Sequence, residues 1–360
     1  MVHRLALSFC MNKSLDTPLP PDQVAKLARL RYVNDGEPGY SRKRKGRGFM
    51  YVDEEGVPVK DKALHGRFAA LVIPPAWTDV WICARPNGHI QATGRDEKGR
   101  KQYIYHTRWG QVRNEAKFHH LCAFGEALPA LRTQVEQHLR LRQLSREKVV
   151  ALVVRLLDAT LLRIGNMAYA NENESYGLTT LQDEHTAVSG STITFYFRGK
   201  SGKQQQVTLQ DRRLARLVKQ CQDLPGQDLF QYTADDGTYH TITSTDVNDY
   251  LHRHMGQAFT AKEFRTWGAT VVAAETLATL GAAETEQEGK KNVVTAVKQA
   301  AQALGNTPTV CRQYYIHPAI FEAYLNGNLL TAVTAAQSGK MKSKEGLTAM
   351  ETAVLSLLQS

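Results

Sequence analysis

The chain has 360 residues, enough for two domains, and a hydrophobic content of 42% that suits a soluble protein with a proper core. Its net charge of +10 is uneven: up to Glu115, 20 Lys+Arg stand against 12 Asp+Glu, and beyond it 25 stand against 23. An excess so placed predicts a polyanionic partner for the N-terminal third, while five scattered cysteines without paired spacing exclude a disulfide frame or a zinc site and predict a reducing compartment.

In chain order, the start "MVHRLALSFC" has too short an apolar run for a signal peptide, so the expected location is the cytoplasm, at the nucleoid. The run "SRKRKGRG" (Arg42, Lys43, Arg44, Lys45, Arg47) is the centre of the basic third. "FMYVDEEGVPV" predicts a hairpin about Gly56, "VWICARPNGHIQATG" a hairpin about Asn87-Gly88, and "KQYIYH" a further aromatic strand. The character changes to helix from about Glu115. Ser145 can cap the long apolar helix "VVALVVRLLDATLLRIGN", expected to end near Arg163 with Gly165 as its stop. Arg155, Asp158 and Arg163 interrupt that stretch, so it reads as a buried helix rather than a membrane span. Ile193, Phe195 and Phe197 then alternate into a Gly-rich turn holding Lys200, and a second strand runs through Val207 and Leu209. Helices resume at Asp246 and at "TAKEFRTWGATVVAAETLATLG", where Thr260 and Glu263 make a capping box ahead of Arg265. "KNVVTAVKQAAQALG" closes at Gly305, and Thr307-Pro308 starts a short helix that carries Tyr314 and Tyr315. The pattern is α+β: a small β-rich N-terminal domain (1–112), a mainly α-helical catalytic domain with a β-hairpin (116–335), and a helical tail (336–360).

No Gly-x-x-x-x-Gly-Lys-Ser/Thr loop, no Gly-x-Gly-x-x-Gly fingerprint and no His/Cys cluster with metal spacing is present; His252 and His254, two apart, fall on different helix faces. What the sequence does offer is two arginines, a lysine and a tyrosine, a coherent set for metal-free attack on a phosphodiester. A phenol, with an ordinary pKa of about 10, needs help to lose its proton. Guanidiniums hold non-bridging oxygens and stabilise charge that builds in the transition state, and an ammonium can protonate the departing alkoxide. Adjacent tyrosines on a helix point roughly 100° apart, so only one of Tyr314 and Tyr315 can face a given site, and helix geometry leaves the choice open.

These pieces resemble the type IB DNA topoisomerases, in their compact bacterial and poxvirus-like branch. "LRYVNDGEPGYSRKRKGRGFMYVDEEG", "IPPAWTDVWI" and "ATGRDEKGRKQYIYH" look like the N-terminal half of the family's clamp. "LLRIGN", "YGLTTL", "FRGKSGK", "KEFRTWGAT" and "LGNTPTVCRQYYIHP" follow the family order. The resemblance implies an ATP-independent enzyme that needs no nucleotide or metal cofactor and acts as a monomeric clamp on duplex DNA. It nicks one strand through a 3′-phosphotyrosine and relaxes supercoils of both signs. It further implies Tyr315 as nucleophile, Arg163 and Arg265 as phosphate clamps, Lys200 as general acid with Lys203 as its rival, and Asn306 where many relatives carry histidine. An amide donates the same hydrogen bond but holds no charge. Arg42, Lys43, Arg44, Gln102, Tyr103 and Tyr105 are the expected DNA contacts, and Tyr314 a packing or neighbouring residue. Two other readings share parts of this chemistry. A tyrosine recombinase usually has histidine three residues before the second arginine, where this chain has Lys262; a non-enzymatic module would use the arginines only to bind phosphate.

Overall fold

The computed structural model describes residues 20–256, 259–341 and 345–360, so Cys10 and the rest of the N-terminal stretch lie outside the described residues. The chain divides between Phe118 and His119 into two compact units.

The first unit is built on a five-stranded antiparallel sheet. Helix α1 (Pro21–Leu27) precedes strands β1 (Gly39–Lys45) and β2 (Gly48–Val52), helix α2 (Lys62–Ala70), and strands β3 (Thr78–Cys83), β4 (Ile90–Arg95) and β5 (Lys101–Tyr105), in the sheet order β2-β1-β3-β4-β5. Helix α2, capped by the Asp61 carboxylate on the Ala63 N–H (2.7 Å), lays Phe68 onto Val80, Ile82 and Ala92 of the sheet. The Asn87-Gly88 hairpin forms as expected, with Trp81 opposite Thr93 and Ile82 opposite Ala92. The turn about Gly56 also closes, with the Gly56 N–H on the Asp53 carbonyl (3.1 Å), the Asp53 N–H on the Val57 carbonyl (3.0 Å) and the Val59 N–H on the Tyr51 carbonyl (3.0 Å). Its second arm stays a single bridge, Val52 to Pro58, because Pro58 has no N–H to extend a ladder. "FMYV" forms its full ladder with the basic run, Lys43 opposite Met50 and Arg44 opposite Phe49, through a two-residue turn in which Gly46 takes φ 58°.

Helix α3 (Thr107–Leu139) starts eight residues before the expected change of character, and the division between the units falls within it. In the second unit α4 (Arg146–Thr160) is the central helix, with every residue from Lys148 to Val154 buried. A helix so apolar on all sides is covered on all sides. Ser145 caps it, accepting from the Lys148 N–H at 3.4 Å. It ends three residues earlier than expected, where Leu161 takes a left-handed φ of 56°, and Arg163 follows outside any helix or strand. Helix α5 (Met167–Asn173) leads to a three-stranded sheet of β6 (Thr186–Ser189), β7 (Thr192–Arg198) and β8 (Gln204–Gln210), whose central strand buries Ile193, Phe195 and Phe197 and exposes Tyr196. Helix α6 (Arg212–Gln222), the strand pair β9 (Gln231–Thr233) and β10 (Tyr239–Thr241), and α7 (Ser244–Met255) follow. The remaining helices are α8 (Ala261–Leu280), α9 (Glu286–Leu304), α10 (Pro308–Tyr314), α11 (Pro318–Leu325), α12 (Asn328–Gln337) and α13 (Ala349–Gln359). The Thr260–Glu263 capping box on α8 is formed, both bonds from residue 260 to the Glu263 carboxylate measuring 2.8 Å.

Helix α13 belongs to the core of this unit. Glu351, on its first turn, is 6% exposed and accepts from Arg132 Nη2 (2.7 Å), Arg132 Nη1 (2.9 Å) and Trp267 Nε1 (3.2 Å). Asp158 takes the other edge of the same guanidinium at 2.9 and 3.0 Å. One arginine of α3 thus ties α4 to α13, and α13 in turn holds Trp267 of α8. Breaking a buried pair on one side leaves an uncompensated charge, at a cost of about 3–5 kcal/mol.

Candidate active site and nucleic-acid interface

The left-handed turn after α4 sets the site. Gly268 on α8 lacks the Cβ that would stand 2.3 Å from Leu161 Cδ2, so the Leu161 side chain packs flat against that helix. The Leu161 carbonyl then meets Arg265, whose Nη1 donates to it, while Nη2 donates to the Leu304 carbonyl at 2.9 Å. Arg265, one turn along α8 and 5% exposed, is therefore strung between the end of α4 and the end of α9. The "YGLTT" segment fixes Arg163 from the other side: the Leu178 N–H donates to the Arg163 carbonyl at 2.8 Å and the Thr179 N–H to the Ile164 carbonyl at 2.7 Å. Gly177 makes this possible, since a Cβ there would lie 2.7 Å from the Arg163 carbonyl.

Helix α9 closes at Gly305 (φ 60°), and the Asn306 N–H turns back to the Ala301 carbonyl at 2.9 Å. This delivers the Asn306 side chain to Arg163, whose Nη2 donates to Asn306 Oδ1 at 2.6 Å. Because the oxygen of the amide faces the guanidinium, its nitrogen faces away, and Nδ2 is buried with no hydrogen-bond partner. Thr307 and Pro308 start α10 as expected, and the helix stops at Tyr314. Tyr314 is 40% exposed. Tyr315 lies one residue past the helix, at φ −126°, half-buried with its ring 5.5 Å from the Arg265 guanidinium. Thr270 pins the backbone beyond it, donating to the Thr266 carbonyl (2.8 Å) and accepting from the His317 N–H (3.1 Å). His317, whose pKa burial pushes down to about 4, is neutral and caps α11 through Nδ1.

Arg163, Lys200 and Arg265 line one small cleft together with Gln205, Gln302 and Leu304. Lys200 is exposed, in a single 3₁₀ turn at the tip of the β7–β8 hairpin; Lys203, Asn306 and Tyr315 are not among the residues that line the cleft, and the last two reach it through Arg163 and Arg265. The electrostatics are those of an anion site. Burial lowers Arg163 from the ordinary guanidinium range, and the neighbouring Tyr315 raises it in part. Burial first, and then the like charge of Arg163, push Arg265 down to about 10, against the opposing pull of Tyr315; it stays charged at neutral pH. Neither guanidinium has a carboxylate partner among the described residues. An uncompensated cation is costly where it is buried, as Arg265 is, and such a site is relieved by a bound anion. No group of three or more His, Cys, Asp or Glu is placed to hold a metal ion among the described residues, His252 and His254 included.

Of the expected DNA contacts in the first unit, four are exposed and two are turned into the fold. Lys43 and Arg44 lie on β1, and both are exposed. Tyr103 and Tyr105, 44% and 41% exposed, share one face of edge strand β5 with rings 5.9 Å apart and 13° from parallel. Two such rings beside Lys101, whose Nζ is 5.8 Å from the Tyr103 ring, form a platform of the kind on which bases or sugars stack. Arg42 departs from the expectation: its guanidinium donates to the carbonyls of Ile73 (2.9 Å), Pro74 (2.8 Å) and Trp77 (2.9 Å) and lies 4.1 Å over the Phe49 ring. Gln102 departs too, its Nε2 donating to Asp96 at 2.9 Å within the β4–β5 turn. Arg42→Ala is therefore expected to lower the melting temperature of the first unit by leaving three carbonyls short of a donor. A Lys43→Gln/Arg44→Gln double variant should leave it unchanged and instead flatten the slope of log Kd against log salt by about 1–2, at ~0.9 for each phosphate no longer neutralised. Unequal salt titrations with equal thermal melts would separate the two; a parental slope in the double variant would mean that the run faces only solvent.

Gln205, Gln302 and the two carbonyls that receive Arg265 are parts of the site that the sequence reading missed. Carbonyls leave no trace in a sequence. Gln205 does leave one: it shares the inward-facing positions of β8 with Val207 and Leu209, where an amide is out of place.

With this geometry in view, the relatives of the chain can be named. Residues 106–341 match the family described as eukaryotic DNA topoisomerase I, catalytic core, and residues 48–96 that described as bacterial DNA topoisomerase IB, N-terminal domain. DNA topoisomerase 1B of Acanthamoeba polyphaga mimivirus is 33% identical over 298 residues, covering 80% of this chain and 88% of that protein. DNA topoisomerase 1B of vaccinia virus (strain Copenhagen) is 24% identical over 245 residues, covering 67% and 74%. Among solved structures, the post-cleavage complex of the XerH site-specific recombinase superposes with a TM-score of 0.33 at 16% identity, covering 52% of this chain and 47% of that one, a likeness too slight to carry weight. From the core match and the mimivirus relative together, this chain is a member of the type IB DNA topoisomerases.

Proposed function

We propose that the cleft cuts and rejoins one strand of duplex DNA through Tyr315. The carrying observation is a pair of guanidiniums without carboxylates, Arg265 buried and Arg163 half-buried, set beside an amide donor, Asn306 Nδ2, that has no acceptor. A phosphodiester supplies what all three lack: its two non-bridging oxygens accept from Arg163, Arg265 and Asn306. The Tyr315 oxygen then attacks phosphorus. Its proton leaves to solvent, the new O–P bond forms, and the bond from phosphorus to O5′ breaks. Lys200 gives the departing O5′ its proton, and resealing runs the same steps backwards with Lys200 as base. Lys200 shares the cleft with Arg163 and Arg265, which supports it in this role.

One phosphodiester is exchanged for another of similar free energy, so the cycle needs no ATP, and three cationic side chains supply the charge stabilisation a divalent ion could give. While the strand is open its 5′ end rotates, which relaxes supercoils of either sign. In the first unit Lys43, Arg44, Tyr103 and Tyr105 grip the duplex, and Gln102 reads a base only by releasing Asp96. The enzyme works as a monomer on chromosomal DNA in a bacterial cytoplasm; no helix among the described residues is long and apolar enough to cross a membrane. The test is relaxation of supercoiled plasmid with EDTA and without ATP, followed by denaturant quench on end-labelled nicked duplexes. Protein trapped on the 3′ side of the break supports the reading. Trapping on the 5′ side, or a requirement for nucleotide, defeats it.

A further inference from the structure

One side chain joins the turn that carries Lys200 to the hinge that carries Asn306. Gln205 leaves β8 partly buried and enters the cleft beside Arg163, Lys200 and Arg265. It passes two glycines on the way. A Cβ on Gly199, the residue before Lys200, would stand 2.8 Å from Gln205 Cγ; a Cβ on Gly305, the residue before Asn306, would stand 2.3 Å from Gln205 Oε1. Gly305 has a second reason to be glycine, its left-handed φ of 60°. Gly199 has none: at φ −95° and ψ −167° its backbone is extended, open to any residue, so what forbids a side chain there is Gln205 itself.

The Lys200 turn needs such an anchor. It is one short 3₁₀ turn with an exposed lysine at its head, closed by the Gly199 N–H on the Lys203 carbonyl (2.8 Å) and the Gly202 N–H on the Gly199 carbonyl (3.1 Å). A flexible four-carbon stem on such a turn does not by itself hold an ammonium within the 2.6–3.2 Å or so that proton transfer requires. We propose that Gln205 is a positioning residue. Wedged between Gly199 and Gly305, it fixes the Lys200 turn against the Asn306 hinge, so that the proton donor and the phosphate clamp keep one spacing. This rests on the reading of Lys200 as the proton donor to O5′.

The experiment compares single-turnover cleavage of two duplexes, identical except that the leaving atom at the scissile phosphate is the ordinary 5′-oxygen or a bridging 5′-sulfur. A thiolate leaves without a proton near neutral pH, its conjugate acid having a pKa of about 8.5, so the sulfur substrate bypasses the donor. Gln205→Ala is expected to slow the oxygen substrate about 10- to 100-fold, the effect of a group held ~1 Å out of place. It should cleave the sulfur substrate within about 3-fold of the parent, with unchanged DNA affinity and melting temperature. Lys200→Ala, run alongside, should show the same rescue by sulfur. A Lys200→Ala enzyme equally slow on both substrates would overturn the reading of Lys200 itself. Rescue of Lys200→Ala but not of Gln205→Ala, or a Gln205→Ala enzyme as fast as the parent on oxygen, would overturn the positioning role.

Discussion

A Tyr315→Phe enzyme is expected to bind supercoiled plasmid as the parent does and to relax it at least ~10⁴-fold more slowly, with no protein retained on DNA after denaturation. Tyr314→Phe should relax within about 3-fold of the parent. The two residues are adjacent, and the difference arises from where α10 ends. Tyr314 is the last helical residue and is 40% exposed. Tyr315 has left the helix, at φ −126°, and its ring sits against the Arg265 guanidinium, while Thr270 pins the chain just beyond. The guanidinium 5.5 Å from this ring stands where charge builds on the phosphate as attack proceeds. Retention of the covalent adduct by Tyr315→Phe and its loss in Tyr314→Phe would reverse the assignment.

The second large effect belongs to Arg265. Arg265→Lys is expected to lower the cleavage rate about 10²–10³-fold although the charge is kept. An ammonium is a point donor; it cannot span the Leu161 and Leu304 carbonyls and still present N–H groups to a phosphate. For Arg265→Ala two stability terms oppose each other. Two buried carbonyls lose their donor, at about 1–3 kcal/mol each. Against this, an uncompensated buried cation disappears, and a pKa pushed down to about 10 corresponds to roughly 3 kcal/mol of relief. The terms are of one size, so the melting temperature should move by only a few degrees while activity falls by orders of magnitude. Single-turnover cleavage and a thermal melt on the same preparations check both halves. A collapse of the melt in parallel with the rate would mean that Arg265 is a structural strut and no more.

Local features are legible in the sequence because they are decided locally. Ser145, the Thr260–Glu263 box, Thr307-Pro308 and Gly305 act within one turn of the residues they cap, and each is in place. The alternation of Ile193, Phe195 and Phe197 reports one buried face of a strand, which is a property of the strand itself. Sequence and structure part where a distant group decides. Arg42 belongs to a run that looks like solvent-facing charge, yet carbonyls more than thirty residues later claim its guanidinium. Gly165 is the obvious stop for α4 and points to an end near Arg163; Leu161 takes the left-handed turn instead, held by the space that Gly268 leaves on another helix. The site as a constellation is legible only through family resemblance. Arg163 and Asn306 bond across 143 positions, and no periodicity predicts that.

The tie between Arg132 and Glu351 has a temporal consequence. Its two halves are separated by 219 positions, among the costliest loops the chain can close, and such distant pairings form late in folding. During synthesis every residue that lines the cleft, and Tyr315 after them, emerges before the helix whose Glu351 holds Trp267. The nascent chain therefore holds its reactive side chains before it holds the helix that braces Trp267.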